Sequence, residues 1–584
     1  MLKDCIDIFE KKYNQAGDAL ITDNYTLDPG TYILVDKQGQ IVDQKNVEKN
    51  MDNAIGLDEF IQRDYLSKLI SMNKPIDNKK VIHSNNYLSF WIKKESIKPD
   101  TQGQTKLSFE IIENYYNILK NPRLKYKGKS LELYEDFETF KKEPNSNNLD
   151  FCESWIKENI FELMENQCIK ADKSYLKIFF QYETDVYLKE SQRYILPNIY
   201  NTTDYNIVMN SQIFGLPNNN MGMNAKKPYL ENKGRIKSKI PYLISTENVY
   251  LQKKFFDYLF NYANQGKTNI YFSTDDNDPE QIYTYKNSHC HVKKLNGYFL
   301  RIQKGMELEI QDYDLITGYS PDIEPFTLRQ VIPIPKNSNS DLVYSDYIKR
   351  EEIQKMINDV FFKKVLIKNY FIDANEIKLN DFRVKEELLR CRSGFFSWFY
   401  KGDSRVIKNI FPKSSLEIVK NSIGNNFFYK AIEQFNVRDA FITYFEGGKS
   451  MADQLIPIRE GLRIKINTEG EHSIENDLEY YYAVGQLSNY YVSKNKTSKL
   501  NHSLVNPILN CKTDLKLKDL LKRFFIKYNY DIKPGRRFGN IQSMIFSYIP
   551  DGSINDTVLI AGYLSPNLLY ESNKEKQEDK SNVK

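Results

Sequence analysis

Apolar positions follow two different rhythms along this chain, and the rhythm changes near residue 345. Before that point the apolar runs are short. TYILVD at 31–36 predicts a buried strand, and YLSFWIKKES at 87–96 predicts an alternating one. SYLKIFFQYETD at 174–185 predicts a third strand, and GYFLRIQKGMELEIQDYD at 297–314 predicts a hairpin turning at Lys304-Gly305. Residues 201–245 show little periodicity and are rich in Asn, Gly and Pro. PDIEPFTLRQVIPIPKNSNSD at 321–341 holds four prolines and a polar end, which predicts a domain boundary or a long connection.

Beyond 345 proline becomes sparse and helical patterns take over. In TDLKLKDLLKRFFIKYNY, Leu517, Leu520, Leu521, Phe524, Phe525 and Tyr528 share one face, with Thr513 or Asp514 placed to cap the start. Lys512, Lys516, Arg523 and Lys527 lie on the other side, as a solvated face or as one that follows a phosphate backbone. The expected fold is therefore α+β. A mixed α/β region spans 1–340, a helical connecting region 341–450, a helical bundle 451–570 and a disordered tail 571–584. No internal repeat of solenoid length is found.

Length and composition narrow the class. At 584 residues the chain exceeds what one core usually supports, and 41% hydrophobic with 27% charged residues is the balance of a folded, soluble protein. Abundant Tyr, Lys, Asn and Ile point to AT-rich coding. The formal charge of +5 is small for this length, so any nucleic-acid contact must come from local clustering. The amino terminus lacks an apolar core of signal-peptide length, and no apolar run is long enough to span a membrane. Six cysteines lie far apart without a CxxC pair, the pattern of reduced thiols. The expected location is the cytoplasm.

Catalytic signatures are sparse. His289, Cys290 and His291, with Asp275 and Asp276 nearby, offer metal-ligand chemistry but no defined ligand spacing. A metal-dependent nuclease using these four His and Asp residues is the enzyme alternative. Gly448-Lys449-Ser450 ends like a phosphate-binding loop, yet Thr443 stands where the loop needs its first glycine. No hydrolase, zincin or kinase signature appears. The expectation is a non-catalytic binding or assembly protein with no cofactor and no bound metal.

The strongest local signal is FGLPNNNMGMNAKKPYLENKGR at 214–235. From Asn224 to Lys239 stand Lys226, Lys227, Lys233, Arg235, Lys237 and Lys239 against Glu231 alone, a surplus equal to the formal charge of +5 carried by the whole protein. Cations at this density bind phosphates, and asparagine amides offer the donor and acceptor that base edges require. Asn218, Asn219, Asn220 and Asn224 are the candidate base readers. HSNNYLSFWIKK at 83–94 repeats the pairing of asparagines with lysines, making Asn85 and Asn86 the rival site.

Four segments in this order resemble one family: MLKDCIDIFEKKYNQAGDALITDNY, YLSKLISMNKPIDNKKVIHSNNYLSFWIKKES, FGLPNNNMGMNAKKPYLENK and YYYAVGQLSNYYVSKNKTSKLNHSLVNP. It is the large subunit of the type I-B CRISPR effector complex, Cascade (the Csh family), and the likeness runs from residue 1 to about 571. The resemblance implies a non-catalytic subunit in antiviral defence. Its partners would be guide RNA, target double-stranded DNA, the backbone, guide-end and small subunits of Cascade, and a helicase-nuclease, with no membrane. Such a subunit contacts the short flanking motif (PAM) on duplex DNA while base pairing reads the target. The asparagines above would probe that duplex, and Lys226, Lys227, Lys233, Arg235, Lys237, Lys239, Lys516, Arg523 and Lys527 would meet phosphates. Some large subunits carry zinc, for which this chain has no cysteine pairs.

The family can also make a separate small subunit by translation starting inside the large-subunit gene. EGGKSM at 446–451 would often be encoded with AGGAGG, a ribosome-binding sequence, a few nucleotides before Met451. A start there gives a product of 134 residues, which the resemblance identifies with a small-subunit-like bundle. The plain alternative is a Gly-Gly helix breaker. A third reading is an assembly protein that never touches DNA.

Overall fold

The computed structural model describes residues 1–48, 56–99, 103–141, 143–170, 172–221, 243–335, 341–448, 450–496 and 500–571. The chain forms two compact units, Met1–Lys286 with Gly297–Leu315, and Asn287–Asn296 with Ile316–Lys584. The division falls inside a β-hairpin and before the proline-rich segment.

The first unit is built on a sheet of β1 (Gly30–Val35), β2 (Ile41–Val47), β3 (Ser89–Lys93) and β4 (Tyr175–Phe180), in the order β2-β1-β4-β3. β1 and β2 make an antiparallel hairpin, whereas β1 and β4 run parallel. Every residue of β1 is buried, as its apolar run requires of a strand covered on both faces. β3 departs from the expected alternation. Ser89 to Ile92 are all buried, because both faces are covered, and the chain leaves the strand after Lys93 for a helical turn, Lys94–Ile97. Around this sheet lie α1 (Leu2–Ala16), α2 (Asp58–Ser67), α3 (Phe109–Lys120), α4 (Lys129–Lys141), α5 (Thr184–Asn198) and α6 (Thr246–Asn264). One continuous core joins them, including Phe9, Phe60, Tyr116, Phe179 and Phe255.

Two further sheets belong to the same stretch of chain. β5 (Ile207–Met209), β6 (Gln212–Gly215) and β7 (Ile244–Ser245) form a small antiparallel sheet in that order. β8 (Lys267–Ser273), β9 (Ile282–Lys286), β10 (Leu295–Lys304) and β11 (Leu308–Tyr319) form another, in the order β11-β10-β8-β9. The expected hairpin is present as β10 and β11, turning through Gly305.

The second unit opens with the hairpin β12 (Asp322–Thr327) and β13 (Asp346–Lys349), so the proline-rich segment contributes a strand. It continues as helices: α7 (Ile407–Gly424), α8 (Phe428–Glu446), α9 (Met451–Asn467), α10 (Asp477–Ser493), α11 (Asp514–Tyr528), α12 (Arg536–Ser547) and α13 (Asp556–Leu564), among others. α10 and α13 cross where both carry glycine. A Cβ on Gly485 would stand 2.2 Å from Leu559 O, and one on Gly562 2.3 Å from Tyr482 O, so the backbones meet where no larger residue fits. α7 and α8, in the span read as a connection, share the core of the C-terminal helices through Val419, Ile423, Ala431 and Phe435. Among the described residues no helix is long and apolar enough to cross a membrane.

Candidate nucleic-acid interface

The basic loop springs from a clamped stem. β6 and β7 flank it, pairing Phe214 with Ser245 and Gly215 with Ile244. The Tyr200 hydroxyl lies 3.0 Å from both Ile213 O and Ile244 O, tying the outgoing strand to the returning one. Gly215 allows that approach, since a Cβ there would fall 2.5 Å from the Tyr200 ring. Just beyond α5 the chain runs alongside the start of the loop. Asn201 N donates to Leu216 O at 2.8 Å, and Asn218 N donates to Ile199 O at 3.0 Å.

The three asparagines belong to this foot. Asn218 is only 4% exposed, and its Nδ2 donates to Asn198 O at 3.3 Å. Asn219 Oδ1 accepts from Asn201 Nδ2 at 2.7 Å, and Asn219–Met221 make a 3₁₀ turn that buries Met221. Asn220 is half-buried, and its Oδ1 makes no hydrogen bond among the described residues. Asn218 as a base reader is therefore corrected: its amide satisfies the end of α5, where a backbone carbonyl lacks an intrahelical donor. Lys74 completes that end, its Nζ donating to Asn198 O at 3.0 Å and also to Tyr200 O. Desolvation lowers the Lys74 ammonium to about 8. Asn224, Lys226, Lys227, Lys233, Arg235, Lys237 and Lys239 lie outside the described residues.

The rival site is an interior joint. Asn85 and Asn86 are 1% and 0% exposed. Asn85 Nδ2 donates to Lys68 O at 2.6 Å, and Asn86 Nδ2 to Tyr187 O at 3.0 Å, while Asn86 Oδ1 accepts from Leu88 N. The Asn85 bond fastens the turn before β3 to the end of α2, and the Asn86 bond fastens it to α5. With both side chains enclosed, no base edge reaches them, so their reading as DNA contacts is corrected too. Sequence alone gave no signal separating an exposed Asn-Asn pair from one spent on carbonyls.

On α11 the predicted apolar face is turned inward through Leu517, Leu521 and Tyr528. Lys516, Arg523 and Lys527 are exposed and carry no ion pair among the described residues. Lys518, on the same helix, is instead engaged with Asp514 at 3.2 Å. Leu515 and Ile526 are exposed beside these cations, so the face is not purely polar.

The nuclease constellation does not assemble among the described residues. Asp275 and Asp276 belong to the first unit, and His289 and His291 to the second. Asp276 pairs with Lys11 at 2.8 Å, which holds its carboxyl below the usual range. His291 is wholly buried. No group of three or more His, Cys, Asp or Glu able to hold a metal occurs among the described residues. Burial pushes the thiols of Cys5 and Cys391 up to about 12, far from a reactive thiolate.

The Gly-Gly pair ends α8. Gly447 has φ +61°, and its N–H closes the last turn on Thr443 O. Ser450 then caps α9, accepting from Ala452 N, and its hydroxyl donates to Asp439 at 2.7 Å. Met451 N donates to the same carboxylate at 3.0 Å. At the other end of the unit, Glu571 is held by Arg459 and Arg463, so the first residue of the expected tail is fixed, while 572–584 lie outside the described residues. Compared with family models, curated proteins and solved structures, the chain finds no match.

Proposed function

We propose that this protein is the non-catalytic large subunit of a type I-B CRISPR RNA-guided complex, which contacts the PAM duplex, aids its opening and recruits a helicase-nuclease. The carrying observation is that the third of the four family-like segments opens the stretch in which six cations stand against one acid, and that the strands flanking this stretch are tied to one another by Tyr200, through Ile213 O and Ile244 O. A loop that presents charge to a duplex gains from a fixed base, since ordering costs are then met by folding and not by binding. Within this reading Asn218 holds the loop. Asn219, Asn220 and Asn224 are left as base contacts, and Lys226, Lys227, Lys233 and Arg235 as phosphate contacts.

The test is binding of the assembled complex to a duplex library randomised beside the target. Asn224→Ala is expected to flatten the sequence preference with little loss of nonspecific affinity. Lys226→Gln with Lys227→Gln and Arg235→Gln is expected to weaken all sequences alike and lower the salt slope by about 2 to 3. Unchanged affinity and slope in the second variant would favour the assembly protein that never touches DNA. The internal start at Met451 is part of the proposal. Silent recoding of the Gly447 and Gly448 codons should abolish a 134-residue product.

A further inference from the structure

A second concentration of cations lies outside the loop, in two segments that the fold brings together. Residues 120–129, KNPRLKYKGK, hold five cations and no acid, and residues 73–80, NKPIDNKK, hold three lysines and one acid. Lys125 Nζ donates to Pro75 O, joining the segments. Lys74 rests on the carbonyls that end α5, and Lys129 Nζ donates to Asn206 O, just before β5. Both segments therefore sit against the same structure that clamps the basic loop.

Most of the charge here is uncompensated. Lys74, Lys125 and Lys129 are oriented by neutral carbonyls, which fix an ammonium without cancelling it. The single acid, Asp77, is 4% exposed and turned inward, its carboxylate accepting from Lys79 N, Val81 N and Ile82 N. Lys79, Lys80, Arg123 and Lys127 are exposed. Arg123 stands only at the margin of pairing, 3.8 Å from Glu135 and 3.9 Å from Glu143. Lys120, at the far end, is committed to Asp150 and Glu153.

The chemistry selects among polyanions. Single strands are held by stacking bases on aromatic rings along a basic groove. Neither segment exposes a ring, for Tyr126 is 6% exposed and is the only aromatic residue in the two. Cations without stacking faces suit a duplex, whose bases are already stacked and whose outer surface is phosphate. We propose that this surface is a phosphate-binding track for double-stranded DNA, continuing from the foot of the basic loop, with Lys79, Lys80, Arg123 and Lys127 as its contacts. The inference rests on the proposed function for which duplex is bound, and on charge and placement for where.

The experiment measures anisotropy of a labelled DNA duplex about 30 base pairs long against the full chain over a range of salt. Each phosphate contact removed lowers the slope of log affinity on log salt by about 0.9, so Lys79→Gln, Lys80→Gln, Arg123→Gln and Lys127→Gln combined should lower it by about 2 to 4. Lys127→Gln alone, the mildest change, should lower it by about 0.9 with the melting temperature unchanged. An unchanged slope in the combined variant overturns the track, while guide RNA on the purified complex would leave the proposed function standing. An equal or larger loss on single-stranded RNA of the same length overturns the duplex assignment. If the wild-type chain binds no duplex yet carries guide RNA, the track alone falls. Loss of both removes the reading on which it rests.

Discussion

Asn86 and Asn218 do the same work at two ends of one helix. Each spends its amide on a backbone carbonyl of α5, at Tyr187 and at Asn198, and each is buried while doing so. Asn86→Ala would leave the Tyr187 carbonyl and the Leu88 N–H without these partners in a dry interior. The expected cost is about 1–3 kcal/mol in denaturant unfolding, with an unchanged m-value. A neutral result would mean that the joint is wet. Lys74 and Lys125 make a prediction with the opposite sign to most buried cations that gain a partner. Both ammoniums are lowered to about 8 by desolvation, below the unfolded value of about 10.4. The unfolded chain therefore binds more protons between those values, and stability from these groups should rise as pH increases from about 8. Lys74→Met should flatten that rise in a series of melts across this range. A steeper rise in the variant would contradict the assignment.

At the scale of elements, helix and strand identity was legible where burial is continuous. The apolar run of β1 and the stripe from Leu517 to Tyr528 are present as read, because each pattern matches the period of its element. What sequence could not give was the use of polar side chains. Asn85, Asn86 and Asn218 read as surface chemistry because an amide's partner is set by tertiary placement, not by its neighbours in sequence. The helices of the second unit make two predictions. Gly485→Ala drives a methyl against Leu559 O and should cost about 1–3 kcal/mol or more, read as a fall in melting temperature. A product starting at Met451 keeps α9 to α13 but loses the Ser450 cap, the Asp439 bonds and the α7 and α8 core residues. It should be helical by circular dichroism and melt below the full chain. A random-coil spectrum would deny it independent existence.

For the whole molecule, net charge conceals the arrangement that matters. The formal excess of +5 is distributed so that the segments 73–80 and 120–129 meet at the end of α5, beside the strands that flank the basic stretch, while exposed acids resume on α4 at Glu132, Glu135 and Asp136. Such asymmetry steers a polyanion to one face without requiring a basic protein overall. The central claim is that this face serves an RNA-guided complex. The most direct measurement is to purify the chain, tagged at its C terminus, from its native operon, then take intact masses and sequence the bound RNA. The account predicts repeat-derived guide RNA with several partner proteins. A lone protein without RNA would contradict it.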